Sequence, residues 1–148
     1  MIHGAGHSAM SFALVAVCSF IFHLLIFFLK KFLKVSCRVV SFDLRAHGNT
    51  RTLDEDDLSK DTQISDIISV INKVVPKEWG KACVVGHSMG GALAVHLSHT
   101  NALECGISSI AVLDVVEGTA SAALPSMHSI LANRPKAFIN LDHAISWR

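Results

Sequence analysis

The sequence predicts an α/β fold in which a mostly parallel sheet is flanked by helices. Three observations carry that prediction. Three short apolar runs, at residues 37–42, 82–85 and 107–113, are rich in β-branched residues and bounded by turn signals or charges. None alternates strictly with polar residues, the pattern of strands covered on both faces of a parallel sheet. Segments of helical spacing lie between and after them, so strand and helix alternate along the chain.

In chain order, the first predicted strand is "CRVVSF" at 37–42. A helix is predicted over 58–75, where Ile64, Ile67, Ile68, Ile71, Val74 and Val75 recur at helical spacing and Pro76 marks the end. The second strand, 82–85, leads into a second helix over 89–99. The third strand, 107–113, leads into a third helix over 119–132, stopped near Pro135. Internal repeats and low-complexity stretches are absent from the sequence.

With 148 residues the chain is long enough for one domain with a sizeable core, and 1–148 reads as a single domain. Half of the residues are apolar (51%) and 17% are charged, which excludes a disordered tail. A net charge of +1 gives no reason to expect nucleic acid or an acidic partner. The nine histidines show neither a His-Glu-x-x-His nor a Cys-x-x-Cys companion spacing; His96 and His99 lie one helical turn apart without an obvious third ligand and read as surface residues. Cys18, Cys37, Cys83 and Cys105 are scattered in apolar context, as suits reduced thiols better than a disulfide framework.

Residues 11–29, "SFALVAVCSFIFHLLIFFL", carry no formal charge and are followed by Lys30, Lys31 and Lys34. On hydropathy this is a transmembrane candidate with a basic flank. The competing reading is an over-long apolar helix against the sheet, enlarged by an insert at about 18–32.

Chemistry concentrates at Gly86-His87-Ser88-Met89-Gly90. Gly-x-Ser-x-Gly between a strand and a helix is the setting of a nucleophile elbow. The serine stands at a sharp turn, and glycines two residues away on either side let neighbouring backbone approach. The helix that begins at Met89 directs free N–H groups and its positive dipole end at a developing oxyanion. A second oxyanion donor is expected from His3-Gly4-Ala5-Gly6-His7, through the N–H of Ala5 or Gly6, although only Met1 and Ile2 precede that run. The carboxylate that orients a catalytic histidine is expected at the end of a later strand, where Asp114 follows 107–113. Asp54, Asp56 and Asp57 read as solvated charge in an acidic loop. Asp43 reads as a loop-holding residue paired with Arg45.

The segments "HGAGHSAMSF", "CRVVSFDLRAHGNT", "DLSKDT", "VVGHSMGGALAVH", "LDVVEGTASAALPSM" and "RPKAFINLDHAISW" together resemble the protein phosphatase methylesterases. The likeness covers nearly all of the chain outside the apolar insert. It implies a partial α/β-hydrolase fold, lacking the first and last strands. The implied activity is serine carboxylesterase chemistry that removes the methyl ester from the carboxyl-terminal leucine of the type 2A protein phosphatase catalytic subunit. Ser88 is then the nucleophile and Asp114 the acid, with Gly4, Ala5, Gly6 and Met89 around the oxyanion. The resemblance implies no metal or organic cofactor and a cytoplasmic and nuclear location; no nucleic-acid partner is expected from the charge, and a membrane partner is disfavoured.

The family carries its catalytic histidine after a late strand, beyond Arg148. His128 and His143 fall in the wrong part of the topology, and His87 is turned away by elbow geometry. The chain is therefore expected to be an incomplete copy, nearly inactive as it stands, since loss of the base costs roughly 10⁴- to 10⁶-fold in turnover. A membrane span at 11–29 would put the His3–His7 loop and Ser88 on opposite sides of a bilayer, which favours the elongated-helix reading. The rival functions are a general carboxylesterase or lipase, a non-catalytic phosphatase-binding module, and a membrane-anchored protein resting on the apolar run alone.

Overall fold

The structure, a computed structural model, describes residues 1–13 and 38–115 and, towards the C-terminus, residues 122, 125–126, 129, 132–133, 135 and 137–147. The chain divides into two compact units, Met1–Val115 and Val116–Arg148. Most of the apolar run at 11–29, the whole insert at 18–32 and most of the helix expected over 119–132 lie outside the described residues. Among the described residues, no helix is long and apolar enough to cross a membrane.

The first unit is built from α1 (Lys60–Val74), β1 (Ala82–His87), α2 (Met89–Thr100) and β2 (Ile107–Leu113). Helix α1 begins at Ser59, whose side chain accepts the Thr62 N–H, and has Asp61 in its first turn and Lys73 in its last, both favourable to the helix dipole. It buries Gln63, Ile64, Ile67 and Ile71, a stripe at the helical period. Val75 is already extended, because the ring of Pro76 disfavours helical backbone in the residue before it. Helix α2 buries Gly90, Gly91, Leu93, Ala94 and Leu97 and ends at Asn101 in a left-handed conformation.

Strands β1 and β2 pair in parallel, from Ala82 opposite Ile107 to His87 opposite Leu113. Parallel neighbours need a crossover, and α2 supplies it. The core forms where α1 and α2 meet β1: Ile64, Ile67, Ile71, Val84, Leu93, Ala94 and Leu97 join Ile2, Leu44, Leu103 and Cys105 in one buried cluster. Each fully buried Ile or Leu side chain there contributes roughly 1.5–3 kcal/mol over its exposed state.

Two strand expectations need correction. Residues 38–42 form no strand. A strand exists only with a ladder partner, and among the described residues the Met1–Ile2 pair alone links this segment to β1. Ile2 bridges Gly86, donating its N–H to Val85 O at 2.8 Å and accepting from His87 N at 3.0 Å, while the Met1 amino group donates to Val40 O at 2.6 Å. Two residues cannot build a ladder, and a groove of about 450 Å³ lined by Phe42, Val75, Trp79 and Val84 runs alongside. The expectation of strands covered on both faces also fails at β2, where Ile110, Val112 and Leu113 are exposed.

In the second unit, α3 (Leu141–Ser146) is capped by Asn140, whose side chain accepts the His143 N–H at 2.8 Å. The Phe138 ring lies against His143 and Trp147, with centroids 5.6 and 5.8 Å away.

Candidate active site

Strand β1 ends at His87 and α2 starts at Met89, so Ser88 alone makes the turn. Its backbone sits at φ 51°, ψ −121°, a conformation that costs a non-glycine residue of order 1–3 kcal/mol. Three hydrogen bonds hold it there. The Ser88 N–H donates to Leu113 O at 2.9 Å, and its carbonyl accepts from Gly91 N at 2.9 Å and Ala92 N at 3.2 Å. The glycines of the motif are sterically required. A methyl group on Gly86 would run into the Gly90 carbonyl, and one on Gly90 into the carbonyls of Ile2 and His3.

Serine is a favoured helix N-cap, yet the Ser88 side chain makes no capping bond. The turn leaves its hydroxyl uncommitted to the helix. Met89 occupies the first helical position, so its N–H has no intrahelical partner and lies at the positive end of the dipole beside Ser88.

The N-terminal loop lies against this turn. His7 donates its N–H to Gly4 O at 3.1 Å, and Gly6 has φ 71°, the signature of a type II turn over residues 4–7. A Cβ on Gly4 would stand 3.1 Å from the Ser88 Cβ and 3.3 Å from the His87 carbonyl. Of the two donors considered from sequence, the Gly6 N–H is taken by His47 Nε2 at 3.1 Å, and the Ala5 N–H has no partner among the described residues.

His3 is buried, with its Nε2 accepting from Leu44 N at 2.9 Å and its Nδ1 on Gly4 O at 2.8 Å. Burial pushes its pKa below the ordinary histidine value, against the bond to the Gly4 carbonyl, which raises it. Asp114 follows β2 as the next residue after Leu113, with φ 50°, and is exposed. Because His87 pairs with Leu113, Ser88 and Asp114 leave neighbouring strands at the same level. Asp114 is thus placed at the same sheet end as the elbow.

Asp43 holds a loop, but Arg45 is not its partner. Its carboxylate accepts the Ala9 N–H at 2.7 Å and the Asn49 N–H at 3.0 Å, and those bonds lower its pKa. Arg45 turns to Asp66 instead, at 2.6 and 3.0 Å, and donates to the carbonyls of Asp54 at 2.7 Å and Asp57 at 3.1 Å. The acidic loop is therefore a tethered structure, which the charge pattern alone did not reveal. Asp57 accepts from Thr62 Oγ1 at 2.6 Å and from Ser59 N at 3.0 Å; bonds from Thr62 and Ser59 hold its carboxyl down at about 2.

Among the described residues no histidine nitrogen hydrogen-bonds the Ser88 hydroxyl. The His87 ring meets the His7 ring edge-on at 5.4 Å. His143 lies in α3 of the second unit, and His128 is outside the described residues. His96 and His99 are exposed on α2, and the described cysteines, Cys83 and Cys105, are free thiols.

A parallel strand–helix–strand unit with a strained serine between glycines at the strand-to-helix turn is the architecture of the α/β hydrolases. The chain belongs to the alpha/beta hydrolase family, whose model matches residues 1–148. More particularly, it is similar to protein phosphatase methylesterase 1 from Homo sapiens and from Bos taurus, each 39% identical over 149 residues, covering 99% of this chain and 35% of the relative. The Schizosaccharomyces pombe protein of that name is 38% identical over 151 residues, covering 98% of this chain and 40% of its own length. The chain thus spans between about a third and a half of the length of the relatives it matches.

Proposed function

We propose that Ser88 is the nucleophile of a carboxylester hydrolase that removes a methyl ester from the carboxyl-terminal leucine of the type 2A protein phosphatase catalytic subunit, in the cytoplasm and nucleus. The observation that carries this reading is the Ser88 turn: a strained, glycine-flanked serine whose hydroxyl is withheld from capping. The methylesterase relatives supply the substrate class.

In the first step the Ser88 Oγ attacks the ester carbonyl carbon and its proton passes to a base. The carbonyl oxygen becomes an oxyanion, for which the N–H groups of Met89 and Ala5 are the free donors; two such donors are worth several kcal/mol in the transition state. The tetrahedral intermediate collapses by breaking the bond to the methoxy oxygen, which leaves as methanol after taking up the proton. An acyl ester on Ser88 remains. Water attacks that ester, and the free carboxylate departs with Ser88 restored. Asp114 is the acid that would orient a histidine base.

No described histidine hydrogen-bonds the Ser88 hydroxyl, so turnover by these 148 residues is expected to be slow. An elbow with its oxyanion donors but no base still retains part of the catalysis, roughly 10³- to 10⁴-fold over water in serine proteases. The test is a peptide ending in methyl-esterified leucine, incubated with the chain and with Ser88→Ala and followed by mass spectrometry. Slow, Ser88-dependent loss of the methyl group is the expected result. Identical behaviour of both proteins contradicts the nucleophile assignment, and turnover at ordinary enzyme rates contradicts the account of the base.

A further inference from the structure

His47 lies well outside the serine motif, yet its ring reaches the loop beside Ser88. Its Nε2 accepts the Gly6 N–H at 3.1 Å, and its Nδ1 lies 2.8 Å from the Arg45 carbonyl. A nitrogen that accepts an N–H carries no proton of its own, so the ring is neutral with its hydrogen on Nδ1, donated to Arg45 O. His3 is fixed in the same tautomer, accepting from Leu44 N at Nε2 and donating from Nδ1 to Gly4 O. The two rings meet edge-on, with centroids 4.9 Å apart.

Between them these rings set both peptide planes of the 4–7 turn. His3 and the His7 N–H hold the Gly4 carbonyl, and the Ala5 N–H points opposite to that carbonyl across a trans peptide. His47 holds the Gly6 N–H, which selects the type II orientation of the Ala5–Gly6 peptide. In the type I alternative that peptide is flipped, and the Ala5 carbonyl would face His47 in place of the N–H.

We propose that His47 is a positioning residue: its Nε2 lone pair fixes the Ala5–Gly6 peptide and with it the type II form of the Gly4–His7 turn that packs against Ser88. This rests on the reading of Ser88 as a nucleophile.

The experiment has two arms on the full 148-residue chain. In the first, two-bond proton–nitrogen spectra read the His47 tautomer, and hydrogen exchange reads the Gly6 amide. A proton on Nδ1 together with a protected Gly6 amide supports the proposal. A proton on Nε2, or a Gly6 amide as unprotected as a free loop, overturns it without any variant having to fold. In the second arm the slow phosphonylation of Ser88 is compared among wild type, His47→Gln and His47→Phe, with circular dichroism as the fold control. In all three proteins fluoride leaves and the Ser88 proton passes to the same acceptor, solvent, so differences in rate among them read the turn. The Gln oxygen replaces the Nε2 acceptor, so His47→Gln should react within about threefold of wild type; His47→Phe should be slower by about tenfold or more. Equal rates for folded Phe and Gln variants overturn the proposal. A wild-type chain with no Ser88-dependent phosphonylation defeats the nucleophile reading instead, and the first arm still decides whether His47 holds the turn.

Discussion

Both long helices begin at a serine, and the two serines do opposite things. Ser59, before α1, sits at φ −57°, ψ 147°, and its side chain accepts the Thr62 N–H, an ordinary cap. Ser88, before α2, sits at φ 51°, ψ −121°, and caps nothing. The residue type is the same; the difference lies in what the surrounding backbone demands. At Ser59 the chain arrives from a loop with freedom to adopt a capping geometry. At Ser88 it leaves a strand and enters a helix within one residue, and Gly86 and Gly90 let neighbouring carbonyls press in too closely for any side chain. A helix start that gives up its cap and accepts backbone strain does so at the expense of stability, which is the mark of a position kept for chemistry.

That contrast can be broken most forcefully at Gly90. A valine there meets the carbonyls of Ile2 and His3, so Gly90→Val should lower unfolding stability by about 3 kcal/mol or more in urea titrations. Substitution at the other helix start is milder. Ser59→Ala should cost about 1 kcal/mol and leave the Ser88 reaction with a phosphonate unchanged. Wild-type rates in that variant would sharpen the distinction between the two serines; a parallel loss of reactivity would erase it.

Acid should separate the two helix starts by smaller effects and in a fixed order. His3, which braces the loop against Ser88, has its pKa depressed by burial, so the unfolded chain takes up that proton first. Stability rises with pH wherever the unfolded state binds more protons; the His3 contribution is therefore complete above the unfolded value of about 6.5 and is lost as pH falls below it. Asp57, which receives Ser59 N and Thr62 Oγ1 at the start of α1, is held at about 2. Its contribution is present above the ordinary carboxylate value and lost only as pH falls towards about 2. Residue-resolved hydrogen exchange on acidification should show the Gly4–His7 loop loosening well before the start of α1.

The regular elements were legible because their signals are local. The isoleucine period and Pro76 marked α1, and the apolar run before the serine motif marked β1. The Ser88 turn was legible for the same reason, since glycine spacing around a serine is a sequence-local consequence of close backbone approach. What could not be read depends on partners distant in the chain. "CRVVSF" has strand composition, but composition does not supply a neighbouring strand, and among the described residues it meets Met1, through Val40 O. The choice of Asp66 over Asp43 by Arg45 is set by how α1 packs, 21 residues away. The grip of His47 on Gly6 spans 41 residues and has no sequence signature beyond a histidine in a polar loop.

The most direct measurement is the intact mass of the chain after prolonged incubation with an alkyl fluorophosphonate, with Ser88→Ala alongside. The account predicts a single adduct that accumulates slowly on Ser88 and is absent from the alanine variant. Equal labelling of the two proteins, or labelling of neither, would contradict it.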